Sequence, residues 1–250
     1  MATSNLKRLV IDPSQRQQEY IFLTLEQQHY LKKVLRLKSG EKFISLNGKG
    51  QSWLVQLKEN TAEIIESLDN KTELNINVTL LIALPKGKGF EQIIRCCTEL
   101  GVTNLVPVIS DRTLLQPSAN RLSRWRKIAQ EAAEQSERQF VPTIHESMNF
   151  SLALKWVKEN GFSSQKYICV ARSHGPHLGE YLFNFQQQQR DQSIIIATGP
   201  EGGWTDIEVE KANNIGFKPV SLGKRILRAI TAPIVALSLI VAMDEGEFQQ

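Results

Sequence analysis

Short apolar runs separated by polar turns fill the first seventy residues. They predict strands over residues 8–11, 20–23, 41–46, 51–57 and 61–68. One helix is predicted over residues 26–35, because Leu31, Val34 and Leu35 share a helical face. The Asn47-Gly48 pair lies between two apolar runs, which is a strong signal of a β-hairpin. Several short strands with one helix are typical of a small β-barrel.

A polar stretch from Asp69 to Glu73 predicts a linker, and strands alternate with helices after it. The predicted strands are residues 76–84, 104–109, 166–171, 193–198 and 218–222. The predicted helices are residues 90–100, 122–138, 152–160 and 232–243, and a further helix that Thr205 opens and Gly216 closes. This alternation predicts an α/β fold with a mostly parallel sheet that helices cover on both faces. We therefore predict two domains, residues 1–72 and 73–250.

Composition and charge narrow the class of protein only in part. Of the 250 residues, 41% are hydrophobic and 22% are charged, so the chain can bury a core. The net charge of +4 permits an RNA partner, but it equally fits a soluble basic protein with no such partner. The longest apolar run, residues 232–243, is shorter than the ~20 residues that span a bilayer. With no signal-peptide pattern at the N-terminus, the chain is expected to be cytoplasmic.

Cysteine and histidine usage does not predict a metal site or a disulfide framework. The three cysteines are Cys96, Cys97 and Cys169, and no CxxC pair occurs. The four histidines are scattered, and His174 and His177 are interpreted as loop residues around Pro176. We expect neither a bound metal nor a membrane partner.

The most informative segment is residues 194–205, where a buried strand enters a glycine-rich turn and then a capped helix. Ligands of open α/β sheets bind beyond the carboxyl ends of strands. Gly199, Gly202 and Gly203 would let a ligand approach the backbone closely. An ordinary tight turn is the alternative interpretation. The turn matches neither the P-loop pattern nor the dinucleotide-binding glycine pattern.

Residues 221–233 form a second strand, loop and helix start. Ile226 and Leu227 are apolar residues in a predicted loop, where they could line a ring-binding pocket or could pack into the core. Arg225 and Arg228 could orient an anionic or carbonyl group.

Two further features are basic. Residues 84–90 place lysines and glycines between a strand and a helix, which suits either a phosphate or a solvated turn. Cations also cluster in the N-terminal domain and at the start of the long helix: His29, Lys32, Lys33, Arg36, Lys38 and Lys42, then Arg121, Arg124, Arg126 and Lys127. Such clusters are typical of a polyanion partner, although each alone fits a solvated face. Glu134 and Arg138 have the i,i+4 spacing of a helix-surface pair.

Four motifs in order carry a resemblance to a known family: residues 98–102 (TELGV), 131–138 (EAAEQSER), 199–203 (GPEGG) and 222–228 (LGKRILR). The chain resembles the RsmE family of ribosomal RNA uridine-N3 methyltransferases, within the SPOUT superfamily. The stretch from His29 to Arg36, with Gly40, is similar to that family's PUA-like barrel.

The resemblance implies a PUA-like β-barrel followed by an α/β domain with a trefoil knot, and a homodimer. It implies S-adenosylmethionine as cofactor and N3 methylation of one uridine in the 16S rRNA of the small ribosomal subunit. Cofactor contact is then expected for Thr198, Gly199, Pro200, Gly202, Gly203, Leu222, Gly223, Ile226, Leu227, Thr231 and Ala232. RNA contact is expected for Arg8, Lys32, Arg36 and Arg138.

Two residues are expected to take part in catalysis. Arg228 would stabilise the uracil anion, and Glu201 would either act as the base or hold the turn through backbone amides. The chain departs from the family where Ala229 and Ile230 replace the usual Thr-Glu. That glutamate therefore cannot be the base in this chain, which keeps open a non-catalytic rRNA-binding assembly factor. A third hypothesis is a nucleotide-binding enzyme that uses the turn from Lys86 to Gly89 on phosphate.

Overall fold

The structure is a computed structural model of the chain. It describes residues 6–69, 72–114, 117, 119–160, 164–171, 175–185 and 193–246. Contacts divide the chain into two compact units, and a short later segment belongs to the first of them. Unit 1 contains Met1–Glu73 and Ala133–Val141, and unit 2 contains Leu74–Ala132 and Pro142–Gln250.

Unit 1 is built on a mixed six-stranded sheet. Its strands are β1 (Arg8–Val10), β2 (Arg16–Gln17), β3 (Tyr20–Phe22), β4 (Lys42–Leu46), β5 (Ser52–Leu57) and β6 (Thr61–Leu68). Their order is β1-β4-β5-β6-β3-β2, and the pairs are antiparallel except for the parallel pair of β1 with β4. Alternate strand residues, among them Ile21, Phe43 and Val55, are fully buried in one core. The pattern of short apolar runs therefore predicted this unit's strands correctly, apart from β2.

The helix of unit 1 contributes Leu31 to that core. It begins as α1 (Leu25–His29) with a capping box between Thr24 and Gln27, and it continues as one π-helical turn, Tyr30–Val34. The predicted helix over residues 26–35 is confirmed, but its last turn is wider than an α-helix.

Unit 2 is an α/β fold with a parallel sheet. The strands are β7 (Asn77–Ala83), β8 (Asn104–Ile109), β9 (Thr143–Ile144), β10 (Met148–Asn149), β11 (Ser164–Cys169), β12 (Ser193–Thr198) and β13 (Lys218–Val220). The sheet order is β10-β8-β7-β12-β11-β13, with β9 also pairing with β8, and every pair is parallel.

Helices cover both faces of this sheet. They are α2 (Gly89–Glu99), α3 (Ala119–Gln135), α4 (Phe150–Asn160), α5 (Leu178–Phe185), α6 (Asp206–Asn213) and α7 (Thr231–Glu245). In the packing, α7 contacts α2 and α5, while α4 contacts α6. Successive residues of a strand point to opposite faces, and all residues from Ile194 to Ala197 in β12 are buried. The predicted sheet with two covered faces is confirmed.

Some elements of unit 2 differ from the predictions, and the short strands β9 and β10 were not predicted. Helix α5 was not predicted, because its neighbours are turn residues and because Gly179 lies inside it. The long helix runs over Ala119–Gln135 instead of residues 122–138, so Arg138 follows its end. Strand β11 begins and ends two residues earlier than expected. The interpretation of His174 as a loop residue lies outside the described residues.

The strand order creates a crevice between β7 and β12. The chain leaves β7 toward β8 on one side, whereas the strand after β12 lies on the other side, beyond β11. Two adjacent parallel strands whose connections depart in opposite directions form a topological switch point, where α/β proteins bind ligands. The switch point therefore predicts a ligand site at the loops that follow β7 and β12.

Candidate active site

The glycine-rich turn after β12 folds back on itself. A Cβ atom at Gly199 would lie 3.3 Å from both the backbone N and the side-chain Nε1 of Trp204, so a larger residue would crowd the turn. Gly203 has a φ of +69° and nothing within 4 Å of the Cβ position. The turn therefore needs glycine for close packing at one point and leaves open space at the other.

The loop after β8 holds this turn in place. Arg112 donates through Nη1 to the carbonyl oxygens of Gly202 (2.7 Å) and Trp204 (3.3 Å). The buried carboxylate of Glu208 accepts hydrogen bonds from the backbone N–H groups of Asp111 (3.0 Å) and Thr205 (2.8 Å). The capping box that opens α6 therefore also anchors a neighbouring loop. Arg112 was not predicted as a site residue, although its place just beyond the carboxyl end of a strand was a usable signal.

Glu201 connects the turn to the loop after β7. Its Oε1 accepts a hydrogen bond from the backbone N–H of Lys86 at 3.0 Å. Glu201 itself is exposed. This hydrogen bond agrees with the second of its two expected roles, which is to hold the turn through a backbone amide.

Two buried polar atoms lie at the ends of the same turn. Within the described part of the chain, neither Thr198 Oγ1 nor Trp204 Nε1 has a hydrogen-bond partner. A buried polar group without a partner costs about 1–3 kcal/mol, so such groups indicate that something else satisfies them. Both atoms lie at the glycine-rich turn after β12, where the switch point predicts a ligand.

The loop after β13 is built differently. Ser221 N donates to Pro176 O (3.0 Å), and Ser221 O accepts from Leu178 N (2.9 Å), which ties this loop to the loop after β11. Gly223 follows with a φ of +113°. Ile226 is 60% exposed, so it does not pack into the core, whereas Leu222 and Leu227 are half-buried. The apolar side chain of Ile226 is thus available to a ligand.

Arg228 stands at the start of α7. Its carbonyl oxygen accepts the first hydrogen bonds of the helix, from Thr231 N (2.9 Å) and Ala232 N (3.0 Å). Its side chain is exposed, and among the described residues no group forms a hydrogen bond or ion pair with its guanidinium. The backbone of Arg228 is therefore fixed while its charge remains available.

The two residues that follow Arg228 pack against the rest of the unit. Ala229 is buried, and Ile230 lies against Gly89, where an added Cβ would be 2.9 Å from Ile230 Cδ1. The missing side chain on Gly89 makes room for the isoleucine. This contact joins the residue before α7 to the first residue of α2.

The predicted cofactor residues follow two strands that lie on either side of β11. Thr198 and Val220 both pair with Cys169, one on each side of β11. Adjacent strands lie about 4.8 Å apart, so the ends of β12 and β13 are separated by roughly 10 Å. The glycine-rich turn and the loop with Ile226 and Leu227 therefore leave the same edge of the sheet.

The residues expected to contact RNA are placed unevenly within unit 1. Arg8 forms an ion pair with Glu137 (2.6 Å), and its side chain is only 8% exposed. Arg138 is buried, and its Nε and Nη2 donate to Glu73 Oε2 at 3.0 and 2.6 Å. Both cations are already used inside the unit, so the expectation that they contact RNA does not agree with their placement.

Lys32 and Arg36 remain accessible at the surface of unit 1. Lys32 donates to the carbonyl oxygen of Glu59, and Arg36 is exposed with a φ of +58°. A positive φ is uncommon for a residue with a side chain and marks a constrained position.

The described residues contain no helix long and apolar enough to cross a membrane. Within the same part of the chain, no three or more His, Cys, Asp or Glu side chains are grouped so that they could hold a metal ion.

Comparison with known proteins assigns the class. Residues 72–241 match the family model described as an RNA methyltransferase domain, and residues 23–67 match an RNA methyltransferase PUA domain. The fold and its loops are therefore those of an RNA methyltransferase. The predicted α/β fold, the predicted PUA-like N-terminal domain and the predicted enzyme class are confirmed.

Individual relatives define the family. The chain is 49% identical to ribosomal RNA small subunit methyltransferase E of Synechocystis sp. over 242 residues, which covers 96% of this chain and 78% of the relative. It is 31% identical to the Bacillus subtilis protein of the same name, with 89% and 90% covered. The crystal structure of the Neisseria gonorrhoeae enzyme of that name, bound to S-adenosyl methionine, superposes with a TM-score of 0.81 at 30% identity, covering 93% of this chain and 95% of that one. The chain belongs to the ribosomal RNA small subunit methyltransferase E family.

Proposed function

We propose that the chain transfers the methyl group of S-adenosylmethionine to N3 of one uridine in the 16S rRNA of the small ribosomal subunit, in the cytoplasm. The observation that carries the proposal is the glycine-rich turn after β12. It combines the unpartnered buried atoms of Thr198 and Trp204 with the open space at Gly203. The family of the chain supports the class of substrate.

The residues of this edge fit S-adenosylmethionine. A nucleoside with an amino-acid tail needs polar partners, backbone amides within reach and an apolar surface for its ring. Here these are offered by Thr198 and Trp204, by the glycine turn, and by Ile226 with Leu227. The proposed cofactor residues are Thr198, Gly199, Pro200, Gly202, Gly203, Leu222, Gly223, Ile226, Leu227, Thr231 and Ala232. When bound, S-adenosylmethionine supplies an electrophilic methyl group on a sulfonium.

The side chains of the protein act on the uracil. N3 carries a proton, and its transfer to solvent water or to a base places negative charge on the ring and its carbonyl oxygens. We assign the exposed guanidinium of Arg228 to donate to such an oxygen; its backbone is held by the first turn of α7, and its donors are not used by other described residues. Glu201 already accepts the Lys86 N–H, so we assign it first to positioning the turn.

Unit 1 is proposed to bind the RNA through Lys32 and Arg36. Arg8 and Arg138 are assigned instead to the internal ion pairs of that unit with Glu137 and Glu73, since removal of a buried partner is costly.

A trefoil knot formed by the loops after β12 and β13, and a homodimer, belong to the same proposal. Support for the dimer comes from α7, which is apolar nearly all round. Its residues Ile234, Val235, Leu239 and Val241 are only partly buried in one chain. A second copy that covered this face would remove them from water.

Single-turnover methyl transfer to small subunits from cells that lack this protein would test the proposal. Mass spectrometry of the digested 16S rRNA should find one added methyl group, on N3 of one uridine. Methylation of another base or of a ribose would overturn the assignment of N3. Tight binding to the particles without any transfer would favour the non-catalytic assembly factor.

A further inference from the structure

Two basic motifs that are distant in sequence come together in unit 2. The loop after β7 supplies Gly87 and Lys88, and the first turns of α3 supply Asn120, Arg121 and Arg124. With Phe90, Glu91 and Trp125 they line one groove. Both motifs, residues 84–90 and the cations at the start of the long helix, were recognised in the sequence, but neither was assigned a role in methyl transfer.

The charge in this groove is mostly uncompensated. It holds three cations, Lys88, Arg121 and Arg124, against the single carboxylate of Glu91. Glu91 forms a bidentate ion pair with Arg124, whose Nε and Nη2 donate to the two carboxylate oxygens at 2.8 and 2.9 Å. In the part of the chain that the structure describes, neither Lys88 nor Arg121 has an ion-pair or hydrogen-bond partner for its side chain.

The shape of the groove favours a backbone phosphate over a base. Phe90 and Trp125 meet edge to face, with 4.6 Å between ring centroids, and both are almost fully buried. They form the floor and offer no exposed ring face on which a base could stack. The fixed Arg124 fork, the cations of Lys88 and Arg121 and the Asn120 amide are donors suited to phosphate oxygens.

The groove also lies at the functional edge of the sheet. Helix α2 follows β7, and Lys86 in the loop between them donates to Glu201; the first turns of α3 line the same groove as this loop. The positive ends of two helices therefore add to the side-chain charge there.

We propose that this groove is a phosphate subsite that binds the backbone of the RNA strand next to the methylated uridine. This inference rests on the proposed function and adds a contact surface in unit 2 to the one in unit 1. Lys88 and Arg121 contact the phosphodiester, and Arg124 is held in place for it by Glu91.

The test uses the full chain and small ribosomal subunits that lack the modification. The variant is Lys88→Gln with Arg121→Gln, and the control is Lys158→Gln. Lys158 is an exposed cation in the last turn of α4, which leads to the opposite edge of the sheet. The double variant should bind the subunits about tenfold more weakly, and its plot of log affinity against log salt should be shallower by about one to two units. The control should match the wild type, and all three should bind S-adenosylmethionine equally.

A double variant that binds with the wild-type affinity and salt slope would overturn the subsite while leaving the methyltransferase proposal standing. Competition arms with inorganic phosphate and with AMP distinguish the sources of phosphate. If inorganic phosphate or AMP displaces the subunits from the protein at low millimolar concentration, the groove binds free phosphate or a nucleotide, and the RNA assignment is overturned. A wild-type chain that neither binds nor methylates the subunits would overturn both proposals.

Discussion

Glu201 Oε1 accepts the backbone N–H of Lys86 at 3.0 Å, and this hydrogen bond spans the crevice between two adjacent strands of the parallel sheet. The loop after β7 leads to β8 on one side of the crevice, and the loop after β12 leads toward β13 on the other side. A side chain that holds two loops needs only an oxygen that accepts a hydrogen bond, whereas a general base must also take up a proton. Substitution of Glu201 by glutamine therefore separates the two roles.

Glu201→Gln should retain activity if the residue positions the turn, because the amide oxygen still accepts the Lys86 N–H. We expect its kcat/KM to stay within about threefold of the wild type, and Glu201→Ala to lose about tenfold, mostly through KM for the cofactor. A general base would behave otherwise. Loss of roughly a hundredfold or more in Glu201→Gln, with a changed pH profile of kcat, would assign the proton transfer to Glu201.

Arg228→Ala should lower the single-turnover rate of methyl transfer. Removing one donor from a developing negative charge costs ~3 kcal/mol, or roughly a hundredfold in rate. Arg228→Lys should also be impaired, because it keeps the charge but loses the planar fork. Cofactor affinity should change little, since the charge acts mainly in the transition state.

Arg36→Ala is the matched comparison for Arg228, since both are exposed arginines. It should weaken RNA binding and reduce its salt dependence, while the rate from bound substrate stays near the wild-type value. If Arg228→Ala transfers the methyl group at the wild-type rate, Arg228 does not act on the uracil.

Arg112 should set the affinity for S-adenosylmethionine without contacting the uracil. Its bonds to the carbonyls of Gly202 and Trp204 hold the turn, but the side chain is exposed, so we expect Arg112→Ala to cost about 1 kcal/mol, or about fivefold in Kd. Gly202→Leu should weaken binding more, because its side chain would crowd Arg112, with Cβ 3.2 Å from Cδ, and would also fill space that the turn is proposed to share with the cofactor. Calorimetry would measure both.

The control for Arg112 is Arg126→Ala, which removes an exposed arginine that donates to the carbonyl of Ile144 instead. It should leave cofactor affinity unchanged. If Gly202→Leu folds and binds S-adenosylmethionine normally, the cofactor does not lie on this turn.

The three cysteines should differ in reactivity toward iodoacetamide. Burial raises the pKa of the Cys169 thiol to about 12, and burial also raises the pKa of Cys97. A raised pKa keeps the thiol protonated at pH 8, and only the thiolate reacts. Cys96 is half-buried, and its pKa is raised mainly by desolvation. Peptide mass spectrometry should find Cys96 labelled first and Cys169 labelled only after unfolding. Rapid labelling of Cys169 in the folded protein would mean that the end of β11 opens to solvent.

Local patterns were enough to predict most elements of both units. The alternation of strands and helices predicted the parallel sheet, and the Thr205 capping box predicted the start of α6, because both signals depend on residues close in sequence. The glycines after β12 were recognisable for the same reason. Four ordered motifs then identified the family, which the comparisons bear out.

The partners of the polar side chains were decided by the tertiary structure alone. No spacing rule connects Arg138 with Glu73, Glu201 with Lys86, or Arg112 with the turn after β12. The contacts of Glu201 and Arg112 arise because strand order brings distant loops to one edge of the sheet, whereas Arg138 meets Glu73 because the segment after α3 returns to unit 1. The same holds for Ile230, whose side chain occupies space left by the missing side chain of Gly89. Sequence therefore determined which groups the protein has available, and the fold determined which of them are used internally and which remain exposed.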